Sequence, residues 1–129
     1  MSERQQIKSL FKTLDRQPEA LFPMPGARLA ITSAQGVYVI RGKDRVVMHV
    51  GRTLRAKEGL LQRIGDHTAG KSSFVREYLK GRREVLRHGC THQFLEVSDD
   101  RQRALLEHYA IAWHCPKHLG IGAVRTPGK

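Results

Sequence analysis

Residues 35–52, QGVYVIRGKDRVVMHVGR, constrain the fold more than any other stretch of the chain. Two runs rich in β-branched residues, 37–40 and 46–50, flank the polar Gly42-Lys43-Asp44. Such side chains suit a pleated surface, and a short Gly-containing linker between two such runs specifies a β-hairpin. Neither run is long enough to prefer a helix. With Tyr38 opposite His49 and Ile40 opposite Val47, both polar rings project from one face of the sheet; a slip of one residue separates them.

Charge narrows the partner class. Lys and Arg number 23 against 12 Asp and Glu, a formal net charge of +11 in 129 residues. An excess of this size repels itself unless an anion accompanies it, so nucleic acid leads, ahead of a merely solvated basic surface. The length suits one domain with a real core, and 40% hydrophobic with 27% charged residues argue against wholesale disorder. No apolar run approaches a membrane span and no signal-peptide centre is evident, so no membrane partner and a cytoplasmic location are expected. Cys90 and Cys115 are too few for a disulfide scaffold and are expected to be reduced. The spacings of Cys90, His92, His114 and Cys115 suit neither a zinc knuckle nor a zinc finger.

Residues 3–14 place Ile7, Leu10, Phe11 and Leu14 at helical spacing, predicting an amphipathic helix that docks on the core or on a second subunit. Pro18, Pro23 and Pro25 make residues 15–26 an extended connector, followed by a short strand over 28–32. A helix over 57–67 carries Leu60, Leu61 and Ile64 on one stripe, while Arg63 and His67, four apart, share a face. The plainer reading makes Arg63 a solvated arginine and His67 a helix-terminal histidine near the stop signal Gly70. A serine-capped helix over 72–89 buries Phe74, Val75, Tyr78 and Leu79. Its basic residues, Lys71, Arg76, Lys80, Arg82, Arg83 and Arg87, offer contacts to phosphates or else form a solvated face. A third strand follows over 92–97, and Asp99 with Gln102 has capping-box spacing before a helix over about residues 100–114. Leu105, Tyr109, Ala112 and Trp113 form its expected core face. Glu107, bracketed by Ala104, Ala110 and Ile111, needs either a metal or an arginine as partner in that apolar setting.

Taken together, Gly36-Val37-Tyr38, His49-Val50-Gly51, Arg63 with His67, and Glu107 ahead of Pro116 resemble the GIY-YIG nuclease domain, in that family's order. The resemblance covers residues 35–116. The chain departs from the family in three places. His49 stands where the second tripeptide has tyrosine, the interval from Gly51 to Arg63 is longer by about one helical turn, and Lys117-His118-Leu119 follow the proline where the family often has asparagine. Because of that interval Arg55 is a weaker candidate for the arginine.

The resemblance implies an α+β fold with a three-stranded antiparallel sheet flanked by helices. Residues 27–119 would form the nuclease domain, residues 1–26 an added helix and Pro-rich connector, and residues 120–129 a basic flexible tail. It implies a metal-dependent DNA endonuclease, with RNA left open as substrate. Glu107 would hold Mg²⁺ or Mn²⁺, Tyr38 would act as general base or position water, Arg63 would stabilise the pentavalent phosphate, and His67 would assist proton movement or anchor Tyr38. His49 can replace a phenol as hydrogen-bonding group or serve as a base itself. Arg52, Arg55, Lys71, Arg76, Lys80, Arg82 and Arg83 are the candidate nucleic-acid contacts. A non-catalytic nucleic-acid-binding module that retains the fold is the alternative. No added recognition domain is visible, so structure-directed cleavage, a homodimer formed through the N-terminal helix, or a targeting protein partner is expected.

Overall fold

Alternation along the central hairpin divides the core in two. In a computed structural model that describes residues 1–54 and 57–120, the chain runs α1 (Glu3–Asp15), β1 (Ala20–Leu21), β2 (Gly36–Arg41), β3 (Val47–Arg52), α2 (Gly59–Thr68), β4 (Thr91–Glu96) and α3 (Asp100–His114). All strand pairs are antiparallel, in the order β1-β4-β2-β3. Successive side chains of a strand point to opposite faces. Tyr38 and Ile40 therefore pack with Leu60, Ile64, Phe74 and Val75, while Val37 and Val39 pack with Phe11, Leu14, Leu106 and Ala110. Every residue of β2 is buried.

The sheet has four strands where three were expected. Ala20 and Leu21, within the segment read as a connector, pair with His92 and Thr91 on the free edge of β4. Prolines on either side, Pro18 and Pro23, keep this piece extended, and a two-residue edge strand is what such a segment can supply. Residues 28–32 form no strand. The chain just beyond them caps α2 instead: Leu60 N–H donates to Ala34 O at 2.9 Å and Leu61 N–H to Thr32 O at 3.0 Å, satisfying helix-start donors that no side chain covers.

The hairpin register also differs from the expected one. Tyr38 pairs with Gly51 and Ile40 with His49, a displacement of two residues. One residue is taken up by the turn, where Arg45 adopts φ 72° and the Asp44 carboxylate accepts from Val46 N–H at 3.1 Å. The other is a bulge between Ile40 and Arg41 that leaves Met48 without a pairing partner in the ladder. Because the side-chain period is two, the errors cancel in facing, and Tyr38 and His49 remain on one side of the sheet.

The single helix expected over 72–89 is broken. A wide turn, Phe74–Tyr78, and a tight one, Arg83–Arg87, are separated by Lys80 and Gly81 at φ 57° and 79°. Phe74, Val75 and Leu79 are buried nonetheless. The fully buried face of α3 is Arg103, Leu106 and Ala110; of the residues expected there, Tyr109 packs partly buried against the same core, whereas Leu105, Ala112 and Trp113 do not. Docking of α1, capped by Ser2 and Gln5, sets that rotation: its Phe11 meets Tyr109 at 5.0 Å and Trp113 at 5.7 Å, leaving Trp113 largely exposed. Among the described residues, no helix is long and apolar enough to cross a membrane.

Arg103 is a buried clamp. Its guanidinium donates to Thr53 O and Val97 O, both at 2.9 Å, and to Ser98 O at 3.1 Å, tying the exit of β3 to the link between β4 and α3. Arg103→Met would leave the buried Thr53 and Val97 carbonyls without this donor, at a cost of roughly 3 kcal/mol. Urea unfolding of the two proteins measures it; a loss well under 1 kcal/mol would mean that water replaces the guanidinium.

Candidate active site

The site grows from the Tyr38–Gly51 pair. A Cβ on Gly51 would run into the Tyr38 hydroxyl, so the phenol lies across β3 only because position 51 has no side chain. Gly36 is equally constrained, since a Cβ there would meet Leu95 O and the Leu60 side chain. Both glycines of the paired tripeptides thus serve close approach.

The fully buried Tyr38 ring places its Oη 2.7 Å from His67 Nε2, and His67 Nδ1 lies 2.7 Å from Ser72 Oγ. The four-residue spacing on α2 thus puts His67 behind the tyrosine and Arg63 beside it. Burial pushes the Tyr38 phenol up to about 12, against the opposing pull of the Arg63 guanidinium. Burial also takes His67 down to about 3, helped by Arg63 and His118. The resting pair is therefore a neutral phenol on a neutral imidazole.

His49 projects into the same region, its ring 6.0 Å from that of Tyr38 and 5.2 Å from that of His67. Its Nδ1 is 3.1 Å from His118 Nδ1, and the ring stacks on Phe74 at 4.8 Å. Burial first, then His67, His118 and Arg63, holds its pKa well below the ordinary histidine value.

Tyr38, His49, Arg52, Arg63 and Glu107 line one pocket of about 290 Å³ at the β3 edge, where α2 reaches from one face of the sheet and α3 from the other. Glu107 is not alone there: Arg52 Nη1 lies 2.5 Å from its Oε1. Burial raises the Glu107 pKa and Arg52 opposes the rise. Arg52 thus pairs with the candidate metal ligand, where a contact to nucleic acid was expected. Arg63 is one-third exposed, 3.8 Å from Asp66.

Lys71, Arg76, Lys80, Arg82 and Arg83 are exposed, and among the described residues none of them is in an ion pair with a carboxylate. They surround the turns after α2 rather than the pocket. Arg55 lies outside the described residues. Sequence reasoning missed Ser72 as a partner of His67 and His118 as a partner of His49. Ser72 had served as a cap; His118 carries no local signal, because its contact depends on the chain after α3 returning along β3. No family model matches the chain, and no curated protein matches it.

Five buried or half-buried histidines, His49, His67, His92, His114 and His118, all have lowered pKa values, chiefly through burial. The unfolded chain gains these protons near pH 6.5 and the folded protein does so only at lower pH, near 3 for His67. Stability is therefore full above about pH 6.5 and falls as the pH drops below it, by about 1.4 kcal/mol per pH unit for each histidine still neutral in the fold. Thermal melts from pH 8 to pH 4 should show Tm falling steeply below pH 6.5. Gly51→Ala, which drives a methyl into the Tyr38 hydroxyl, should lower stability by about 1–3 kcal/mol, measured by urea unfolding.

Proposed function

We propose that the protein is a metal-dependent DNA endonuclease that hydrolyses phosphodiester bonds through a site of GIY-YIG type. The observation that carries this reading is the convergence of Tyr38, His49, Arg63 and Glu107, drawn from four elements, on one pocket.

The donors suit a cation of limited demands. Glu107 supplies one carboxylate, and among the described residues no three His, Cys, Asp or Glu side chains are placed to hold a metal ion together. That set fits Mg²⁺ or Mn²⁺ taking most of its ligands from water and substrate phosphate, and not an ion caged by protein alone. Bound on Glu107, such a cation would neutralise charge on the reacting phosphate. Arg63 faces the pocket with a planar guanidinium suited to non-bridging phosphate oxygens and to the charge that develops on them. Tyr38 can accept a proton from water only as its own proton moves to His67 Nε2, with Ser72 Oγ accepting from His67 Nδ1–H. An arriving phosphate anion favours the protonated form of His67, which burial otherwise suppresses. The exposed cations at Lys71, Arg76, Lys80, Arg82 and Arg83 would orient the nucleic acid without reading its sequence.

A second reading, a binding module without catalysis, is favoured by the Arg52–Glu107 ion pair, which satisfies the carboxylate without a cation. Nicking of supercoiled plasmid separates the two. With Mg²⁺ or Mn²⁺ the protein should cleave, EDTA should stop it, and Tyr38→Phe or Glu107→Ala should each lower the rate by about 10²-fold or more. Binding without cleavage on plasmid, branched DNA and RNA would establish the binding module.

A further inference from the structure

We propose that Glu77, His118 and His49 form a proton relay that presents the His49 Nε2 lone pair to the pocket and carries the accepted proton out to solvent. The inference rests on the nuclease reading for its reaction, but the chain of contacts is structural.

His118 reaches its place through the backbone. Lys117 N–H donates to Val47 O at 3.2 Å and His118 N–H to Met48 O at 2.9 Å, so the segment after α3 runs beside β3 and sets His118 next to His49. With the two Nδ1 atoms 3.1 Å apart, one must donate and the other accept. Glu77 decides which. Its Oε1 is 3.9 Å from His118 Nε2, too far for a hydrogen bond but close enough for the carboxylate to favour a proton on that nitrogen. A neutral His118 with its proton on Nε2 has a lone pair on Nδ1. His49 must then donate Nδ1–H, leaving its own lone pair on Nε2.

The groups facing these rings are consistent with this direction of transfer. His49 sees Tyr38 from β2, Arg63 and His67 from α2, and both the ring and the backbone of His118. Arg63 repels a cation that stays on His49. His118 sees His49 on one side, Phe74 and Tyr78 beside it, and Glu77 on the other. The proton therefore has one favourable way out. His118 is 2% exposed and the Glu77 side chain 71%, so the chain passes from a dry pocket wall to bulk water. The Tyr38–His67 pair ends on buried Ser72, with no carboxylate beyond it among the contacts described.

In the reaction His49 takes the proton and Tyr38 positions the water: the attacking water loses one O–H bond as Nε2–H forms on His49, its oxygen bonds to phosphorus, and the leaving oxygen departs with the electron pair of the broken P–O bond. His49 then passes Nδ1–H to His118 Nδ1, and His118 passes Nε2–H to the Glu77 carboxylate or to water. His118 and Glu77 touch no substrate; they are positioning residues.

Imidazole ¹⁵N spectra of the full chain, for the unaltered protein and Glu77→Gln, test the relay directly. Expected are Nδ1–H on His49 and Nε2–H on His118, with that preference weakened in Glu77→Gln and kept in Glu77→Asp. A His49 protonated on Nε2 in the unaltered protein overturns the relay. Single-turnover plasmid cleavage supplies the second readout. Glu77→Gln removes a negative charge, so DNA binding should hold or tighten while the cleavage rate falls about tenfold and Glu77→Asp restores it. An unchanged rate and unchanged spectra overturn the relay. Absence of cleavage by the unaltered protein overturns the nuclease reading instead, and the spectra then decide the relay alone.

Discussion

Strand β2 has neither a free edge nor a free face, and the remaining elements are placed by that. It bonds β3 on one side and β4 on the other, with one hydrophobic cluster beneath it and a second above. A strand in this position tolerates few polar side chains. The two it carries are both tethered: Tyr38 to His67, and Arg41 to Gln93 and, at 3.1 Å, to Asp15. The Arg41 tether matters for α1, because Asp15 closes that helix and Gln93 also donates to Gln17 O at 3.0 Å. The N-terminal helix is thereby fastened to the sheet by partly buried polar contacts as well as by Phe11 and Leu14.

Much polarity is buried in a protein of this size. His92 sits 2% exposed beside Phe22 with neither ring nitrogen hydrogen-bonded among the described residues, and burial lowers the pKa of four other histidines. Each such group costs stability relative to an apolar residue of the same shape. Local rules broken together in one region, here around His49, His67 and His118, are what a site built for chemistry rather than for stability would show. The Arg52–Glu107 pair fits the same description: a metal bound on Glu107, as proposed, would have to displace or share with the Arg52 guanidinium. The strength of that pair would therefore distinguish the two proposed readings of function.

The hairpin was legible because β-branched runs around a polar turn admit few structures, and α1, α2 and α3 were legible from their apolar periodicity. Facing was legible too: Tyr38 and His49 came out on one side although the register was off by two, because side chains repeat every second residue. The break at Lys80-Gly81 was not, since Phe74, Val75 and Leu79 read alike in a helix and in a turn that buries the same side chains. Nor was the inward face of α3, whose aromatic residues, Tyr109 and Trp113, turn toward Phe11 of α1.

Residue type and spacing were sufficient to put Arg63 and His67 on one helix face and to mark Glu107 as a carboxylate in need of a partner, because helical geometry is local. They could not supply the partner. Arg52 is separated from Glu107 by 55 residues and His118 from His49 by 69, and both pairs exist only because α3 crosses one face of the sheet and the chain then returns along β3. Contacts between segments so far apart depend on how whole elements pack, and no local pattern of residues encodes that packing.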